Sequence, residues 1–191
     1  MKKFLTLRNI VLLGALVFGL LAFFLSFGAS MTVTMDGSRG TMKNIIWGCN
    51  LFVVEGHGEV PPFEFGPSVL PMIGLILILV GTLAAVVVGL FLNKPFAKWI
   101  VLCGAVVALA GSVMAFIVVG PFARAYVDAV VKAGEMSLTP EQYNQLLEMM
   151  KTELNKGNPV AVIPVLSGIF GIIAAGACGV SQFLPEKQLA K

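Results

Sequence analysis

Four long apolar stretches dominate the pattern of hydrophobic and polar positions along the chain. Each exceeds the roughly 20 residues that an α-helix needs to cross the hydrocarbon core of a bilayer. A helix also satisfies its backbone hydrogen bonds internally, as the bilayer interior requires. Asp, Glu, Lys and Arg are missing from residues 9–35, 65–93, 99–123 and 157–185. The pattern predicts transmembrane helices over about residues 9–28, 68–92, 99–122 and 160–182.

Every predicted span carries small residues at helical spacing. Such stripes let helix backbones approach closely in a bilayer, where no hydrophobic force draws helices together. We therefore expect a four-helix bundle packed through small residues, chiefly Gly19, Gly81, Ala85, Gly104 and Gly171.

Composition supports this architecture. Of the 191 residues, 58% are hydrophobic and 12% are charged, and the mean hydropathy is +0.93, which is outside the range of soluble domains of this size. We predict an all-α membrane protein with a single integral membrane domain over residues 1–191. Its four-helix bundle would carry a small extracellular cap, made by two outer segments at residues 29–67 and 123–159.

The distribution of charge predicts the orientation. With both termini and the hairpin at residues 93–98 on one side, that side holds seven of the 13 basic residues and one of the 10 acidic residues. Because basic residues collect on the cytoplasmic side, both termini are expected in the cytoplasm. The opening "MKKFLTLR" and the lack of an Asn-x-Ser/Thr site favour a bacterial inner (plasma) membrane.

The N-terminus also allows a different interpretation. "MKKFLTLR", followed by an apolar run and "GAS", resembles a secretory signal with a small-residue cleavage site. The apolar run from Ile10 to Phe27 is longer than is usual in a signal peptide, which favours an uncleaved first span.

The first outer segment has strand character. Two runs, "MTVTM" and "NIIWGCNLFVV", flank "DGSRG", whose glycines suit a hairpin turn. We expect a small β-hairpin. Trp47 and Phe52 are its candidate interaction residues, since aromatic side chains are enriched where proteins meet. The alternative is that they pack within the cap.

The second outer segment is helical in pattern. "PFARAYVDAVVKAGE" continues the third span, with Gly134 as a stop. An amphipathic helix follows, with Thr139 as N-cap, Pro140 at its first position and Gln142 completing a capping box. Its apolar face, which includes Tyr143, Leu147 and Met150, is expected to pack on the hairpin or the membrane surface, or to contact a partner.

The only histidine raises a metal hypothesis. In "EGHGE", an extended backbone would place Glu55, His57 and Glu59 on one face, with Glu64 or Cys49 as a further ligand. The spacing matches no strong zinc signature, and a histidine between two acids in a glycine-rich loop is usually solvated. We therefore expect neither a metal nor a cofactor.

Composition also excludes several functions. Basic runs and basic residues interleaved with aromatic ones are absent, so nucleic acid is not an expected partner. Proton relays and intramembrane catalysis need ionisable side chains inside the membrane, and the four spans contain none. Small hydroxyl residues remain, chiefly Thr82, Ser112 and Ser167, which suffice for hydrogen bonds between helices.

The overall plan resembles the claudins and related tetraspan membrane proteins. It shares four spans, both ends inside, a first outer segment of strand character, a third span extended beyond the bilayer, and Trp47, Gly48 and Cys49 in sequence. The resemblance implies an adhesion, barrier or accessory role. The chain departs from claudins in that Cys49 has no second cysteine beside it in the first outer segment, and its second outer segment is longer and more helical.

The sequence thus predicts a non-enzymatic four-span protein with a structural, adhesion or accessory role. Its expected partners are membrane lipid and either another protein or a second copy of this chain. The alternative is a small transporter or channel subunit, or a protein binding lipid or another small molecule. A cavity lined by Thr82, Ser112 and Ser167 would favour that alternative. An enzyme would need an outside-facing site on His57.

Overall fold

The computed structural model describes residues 6–35, 38–48, 52–54, 66–92, 96–156 and 159–184. Its strands are β1 (Ser30–Met35), β2 (Ser38–Lys43) and β3 (Phe52–Val54). Its helices are α1 (Leu7–Leu25), α2 (Val69–Phe91), α3 (Ala97–Phe116), α4 (Val119–Ala133), α5 (Pro140–Lys156) and α6 (Val162–Ser181). A short 3₁₀ helix, Ser26–Gly28, follows α1.

Four of these helices are long and apolar enough to cross a membrane, namely α1 with its 3₁₀ extension, α2, α3 and α6. They match the four predicted spans, and the chain is a multi-pass membrane protein with a four-helix fold. The predicted all-α class is confirmed, and a small antiparallel sheet accompanies the helices.

The third span ends earlier than predicted. Helix α3 stops at Phe116, and α4 begins as a separate helix at Val119. Pro121 explains the break, because proline has no N–H to donate to the carbonyl of Ile117 and its ring would collide with that carbonyl in a continuous helix. In the first turn of a new helix the missing donor costs nothing. The predicted stop at Gly134 is confirmed, since α4 ends at Ala133 and Gly134 is its C-cap residue.

The chain divides into two compact units. We call residues 1–25, 73–115 and 166–191 the bundle unit, and residues 26–72 and 116–165 the sheet unit. The bundle unit contains most of the four long helices. The sheet unit contains the three strands together with α4 and α5.

Reciprocal glycine pairs join α2 and α3 in the bundle unit. A Cβ atom added at Gly81 would lie 2.6 Å from the carbonyl oxygen of Gly104, and one added at Gly104 would lie 2.6 Å from that of Gly81. Gly74 and Gly111 face each other in the same way. The two helices therefore touch backbone to backbone at two places, seven residues apart on each helix.

The other two long helices also pack through small residues. Gly19 of α1 lies against the side chain of Thr82, and Gly171 of α6 lies against Ser112 and Ile78. Ala85 is fully buried beside Gly104. Close contacts in the bundle unit thus lie at small residues.

The sheet unit is built on three antiparallel strands in the order β1-β2-β3. Met35 pairs with Ser38, so only two residues connect the first two strands. The predicted hairpin is present, but its second arm is "SRGTMK" rather than "NIIWGCNLFVV". The sequence Asp-Gly at positions 36 and 37 is typical of a two-residue connection. The predicted five-residue turn was too long, because Ser38, Arg39 and Gly40 belong to β2.

Helices α4 and α5 contact each other, and both belong to the sheet unit. The segment that follows α5 reaches the sheet, because Thr32 and Val160 exchange both backbone hydrogen bonds, at 3.0 and 2.8 Å. Buried apolar side chains form the interior of the unit, with Phe122, Met31, Ile45, Ile46, Val127 and Leu154 the largest.

Candidate interaction surface

Trp47 is held inside the sheet unit. Its indole ring stacks on Phe27, with ring centroids 4.9 Å apart and planes inclined by 10°. Its Nε1–H donates a hydrogen bond of 2.8 Å to the hydroxyl of Ser26. A tryptophan with its N–H satisfied and its face covered on one side is fixed in orientation. The geometry matches the packing alternative for this residue.

The backbone around Trp47 explains this placement. Asn44 adopts a φ of 55° and Gly48 a φ of 85°, both in the left-handed region that asparagine and glycine tolerate best. The turn between them buries Ile45 and Ile46 completely. Ser68 then ties this turn to the start of α2, because its hydroxyl donates to the carbonyl of Ile45 at 2.7 Å.

The N-terminus of α5 carries the predicted capping box. The backbone N–H of Thr139 donates to Oε1 of Gln142 at 2.9 Å, and the N–H of Gln142 donates to Oγ1 of Thr139 at 3.3 Å. Two backbone donors that a helix leaves without partners are thereby satisfied, and the start of α5 is fixed at Pro140.

The predicted apolar face of α5 is turned toward the rest of the sheet unit. Leu147 and Leu154 are buried, and Tyr143 and Met150 are half-buried. Tyr143 donates a hydrogen bond to Oδ1 of Asp128 on α4. This face therefore packs mainly on α4, a helix that the prediction did not separate from the third span.

The Tyr143 hydroxyl also contacts Arg124, which lies one turn before Asp128 on α4. Partial burial raises the pKa of Tyr143 above its usual value of 10.0, and the hydrogen bond to the Asp128 carboxylate raises that pKa further. The Arg124 guanidinium opposes the shift. Tyr143 thus stays protonated at neutral pH and links α5 to α4 as a hydrogen-bond donor.

The opposite face of α5 is exposed and polar. Met149 is 63% exposed and stands among charged residues. Two ion pairs of 2.7 Å run along the helix, Lys151 with Glu148 and Lys156 with Glu153. Exposed pairs of this kind contribute at most about 1 kcal/mol, so they add little to the stability of α5.

The structure describes only some of the residues predicted for a site in the first outer segment. Phe52 begins β3, and its backbone pairs with Met42. Cys49, Glu55, His57, Glu59 and Glu64 lie outside the described residues. Within the described ranges, no three His, Cys, Asp or Glu side chains are grouped so that they could hold a metal ion.

Three hydroxyl residues within the long helices of the bundle unit, Thr82, Ser112 and Ser167, are fully or almost fully buried. Ser112 donates to the carbonyl of Ala108 at 2.7 Å, one helical turn back. Thr82 Oγ1 and Ser167 Oγ find no hydrogen-bond partner among the described residues. Thr82 packs directly on Gly19, and Ser112 packs on Gly171. Two of the three hydroxyls therefore line helix contacts.

Two groups of contacting residues were missed. Arg124 and Asp128 of α4 escaped notice because the pattern joined α4 to the third span. Gly111 was also missed, although the seven residues from Gly104 to Gly111 match those from Gly74 to Gly81. That matched spacing is a signal for reciprocal packing of two antiparallel helices.

The fold and the contacts define a four-span membrane protein with a separate helix and sheet unit. Comparison with protein-family models, with curated proteins and with solved structures finds no match.

Proposed function

We propose that this is a non-enzymatic membrane protein whose sheet unit provides a structural, adhesion or accessory contact. The observation that carries the proposal is the self-contained construction of that unit. It has its own apolar interior, and the candidate residues Trp47 and Tyr143 make hydrogen bonds within the unit. A unit packed around its own interior can present a preformed surface to another protein.

The exposed face of α5 is the contact surface under this proposal. The face with Tyr143 and Leu147 is used for packing on α4, which leaves the face around Met149 available. Methionine is enriched at interfaces, and a polar rim would be formed by the exposed residues one turn from Met149 along α5, namely Gln145, Thr152 and Glu153. The partner is a protein or a second copy of this chain.

The resemblance to claudins and related tetraspan proteins supports the same class of role. Four spans, a sheet between the first two of them and the sequence Trp47-Gly48-Cys49 are the shared features. The pairing of Trp47 with Ser26 and Phe27 suggests that this tryptophan supports the sheet unit. Membership of that family is part of the proposal.

The proposal places both termini on the cytoplasmic side of a bacterial inner membrane. The basic residues of the termini and of the connection after α2 support that orientation. Single cysteines introduced at Met149 and at Phe183, in a chain whose three cysteines are replaced, test it. A membrane-impermeant maleimide added to intact cells should label position 149 and spare position 183. Labelling of position 183 alone would show the opposite orientation and contradict the proposal.

Site-specific photocrosslinking tests the contact surface. A photoreactive phenylalanine at Met149 should give one discrete protein adduct in native membranes, and the mass of the purified assembly should contain the adduct partner in fixed ratio. The matched control is the same amino acid at Val106, which is 65% exposed on a transmembrane helix and should contact lipid. Adducts of equal variety at both positions would contradict the proposal.

The second candidate is binding of a lipid or small molecule within the bundle. The buried hydroxyls of Thr82 and Ser167, which lack hydrogen-bond partners among the described residues, favour it. Close packing at Gly19 and Gly171 counts against it. Retention of one small molecule through purification, lost on Thr82→Val, would move this candidate ahead.

An enzyme based on His57 would require His57→Ala to change metal content and phenotype.

A further inference from the structure

One end of the bundle unit carries strongly exposed aromatic side chains. Phe91 ends α2, Trp99 lies in the first turn of α3, and Phe183 follows α6, with exposed fractions of 70%, 68% and 74%. The glycine pairs set α2 and α3 antiparallel, which brings the end of α2 beside the start of α3. Aromatic rings are enriched at the depth of lipid headgroups, so these three residues mark where the bundle leaves the hydrocarbon core.

The same end is positively charged. Lys98 Nζ lies 5.0 Å from the centroid of the Phe183 ring, and so its ammonium group stays at the level of the aromatic residues. Arg8 lies one turn before Leu12, whose side chain faces Gly89. Within the described ranges 6–12, 86–92, 96–102 and 178–184 there is no acidic residue.

We infer that this end of the bundle binds anionic phospholipid headgroups, with Lys98 contacting the headgroup and Trp99 lying beside the upper acyl chain. Charge complementarity supports this occupant, because Lys98 and Arg8 lie at this end and the described ranges there hold no acidic residue. Each basic residue at a membrane surface favours an anionic over a neutral lipid by about fivefold. The inference concerns the bundle unit and does not depend on the contact proposed for α5.

Fluorescence quenching tests the inference in reconstituted vesicles. The probes are phosphatidylglycerol and phosphatidylcholine that carry bromine on the upper acyl chain, each mixed into ordinary phosphatidylcholine at the same mole fraction. The chain has two tryptophans, and the difference between the wild type and Trp99→Phe isolates the emission of Trp99. Trp99 is largely exposed, so this replacement should leave the fold intact.

Brominated phosphatidylglycerol should quench Trp99 more strongly than brominated phosphatidylcholine, with a relative binding constant of about fivefold or more. Lys98→Gln should lower that preference by about threefold to fivefold, and Lys132→Gln, at an exposed position of α4, should leave it unchanged. Equal quenching by the two lipids in the wild type would overturn the inference. An unchanged preference in Lys98→Gln, or an equal loss in Lys132→Gln, would also overturn it.

Discussion

The bundle unit and the sheet unit are held together in opposite ways. In the bundle unit the closest contacts are made where side chains are missing, as at Gly81 against Gly104. In the sheet unit large buried side chains such as Phe122 fill the interior. The difference follows from the solvent. Lipid tails are as apolar as leucine, so the hydrophobic effect does not drive helices together in a bilayer, whereas in water it drives the burial of large apolar side chains.

The comparison predicts opposite sensitivity to side-chain size. Substitutions that add atoms should damage the bundle unit most, and substitutions that remove atoms should damage the sheet unit most. The following experiments test that contrast, beginning with the largest expected effect.

Phe122→Ala should destabilise the sheet unit by about 3–5 kcal/mol, because Phe122 is fully buried and the change leaves a cavity. Hydrogen exchange of the α4 and α5 amides in bicelles measures the local free energy of opening. Met149→Ala, at a largely exposed position of α5, should change it by less than about 0.5 kcal/mol. Similar effects of the two substitutions would mean that the unit has no core of its own.

Gly81→Ala should destabilise the bundle unit by about 1–3 kcal/mol, since the added methyl group meets the backbone oxygen of Gly104 and the helices must move apart. Denaturant titration of the purified protein in mixed micelles measures the change. Gly176→Ala is the matched control on α6, because nothing lies within 4 Å of a Cβ at that position. If Gly176→Ala proved as harmful as Gly81→Ala, helix contact would not be the cause.

Thr139→Ala should cost about 1 kcal/mol, because it removes one half of the capping box at the start of α5. Faster hydrogen exchange confined to the first turn of α5 is the expected signature. Thr152→Ala, at an exposed position in the last turns of α5, should leave that first turn unaffected. An effect spread evenly over the helix would argue against a capping role.

At strongly alkaline pH, ionisation of Tyr143 should weaken the contact between α5 and α4. The pKa of Tyr143 is higher in the folded protein than its usual 10.0, so the unfolded chain loses the proton first. The stabilisation is therefore complete below about pH 10 and is lost as the pH rises through the folded-state pKa. The phenolate absorbance of the wild type minus that of Tyr143→Phe reports the titration of Tyr143. A Tyr143 that titrates below 10.0 would contradict the assigned hydrogen bond.

Much of the fold could be predicted because it depends on local pattern. Four apolar runs, the capping residues Thr139 and Gln142, and the Gly134 stop are all visible in short stretches of sequence. The hairpin arm was misplaced because "SRGTMK" has neither alternating polarity nor aromatic residues, and pairing with "SMTVTM" decides its conformation.

The candidate surface was predicted less well than the fold. The apolar face of α5 was identified correctly, but its neighbour could not be, since α4 was read as part of the third span. Pro121 was the available signal for that boundary. The bond from Tyr143 to Asp128 joins residues 15 positions apart on two helices, and no periodicity in the sequence indicates such a pair.

The reciprocal glycine pairs restrict how this protein can evolve. A clash between two side chains can be relieved by shrinking the partner, but a Cβ at Gly81 meets a main-chain oxygen, which every amino acid carries. No second substitution at Gly104 can therefore compensate for the loss of Gly81, and the same holds for Gly74 and Gly111. We expect orthologues to keep all four glycines while the lipid-facing positions between them drift freely.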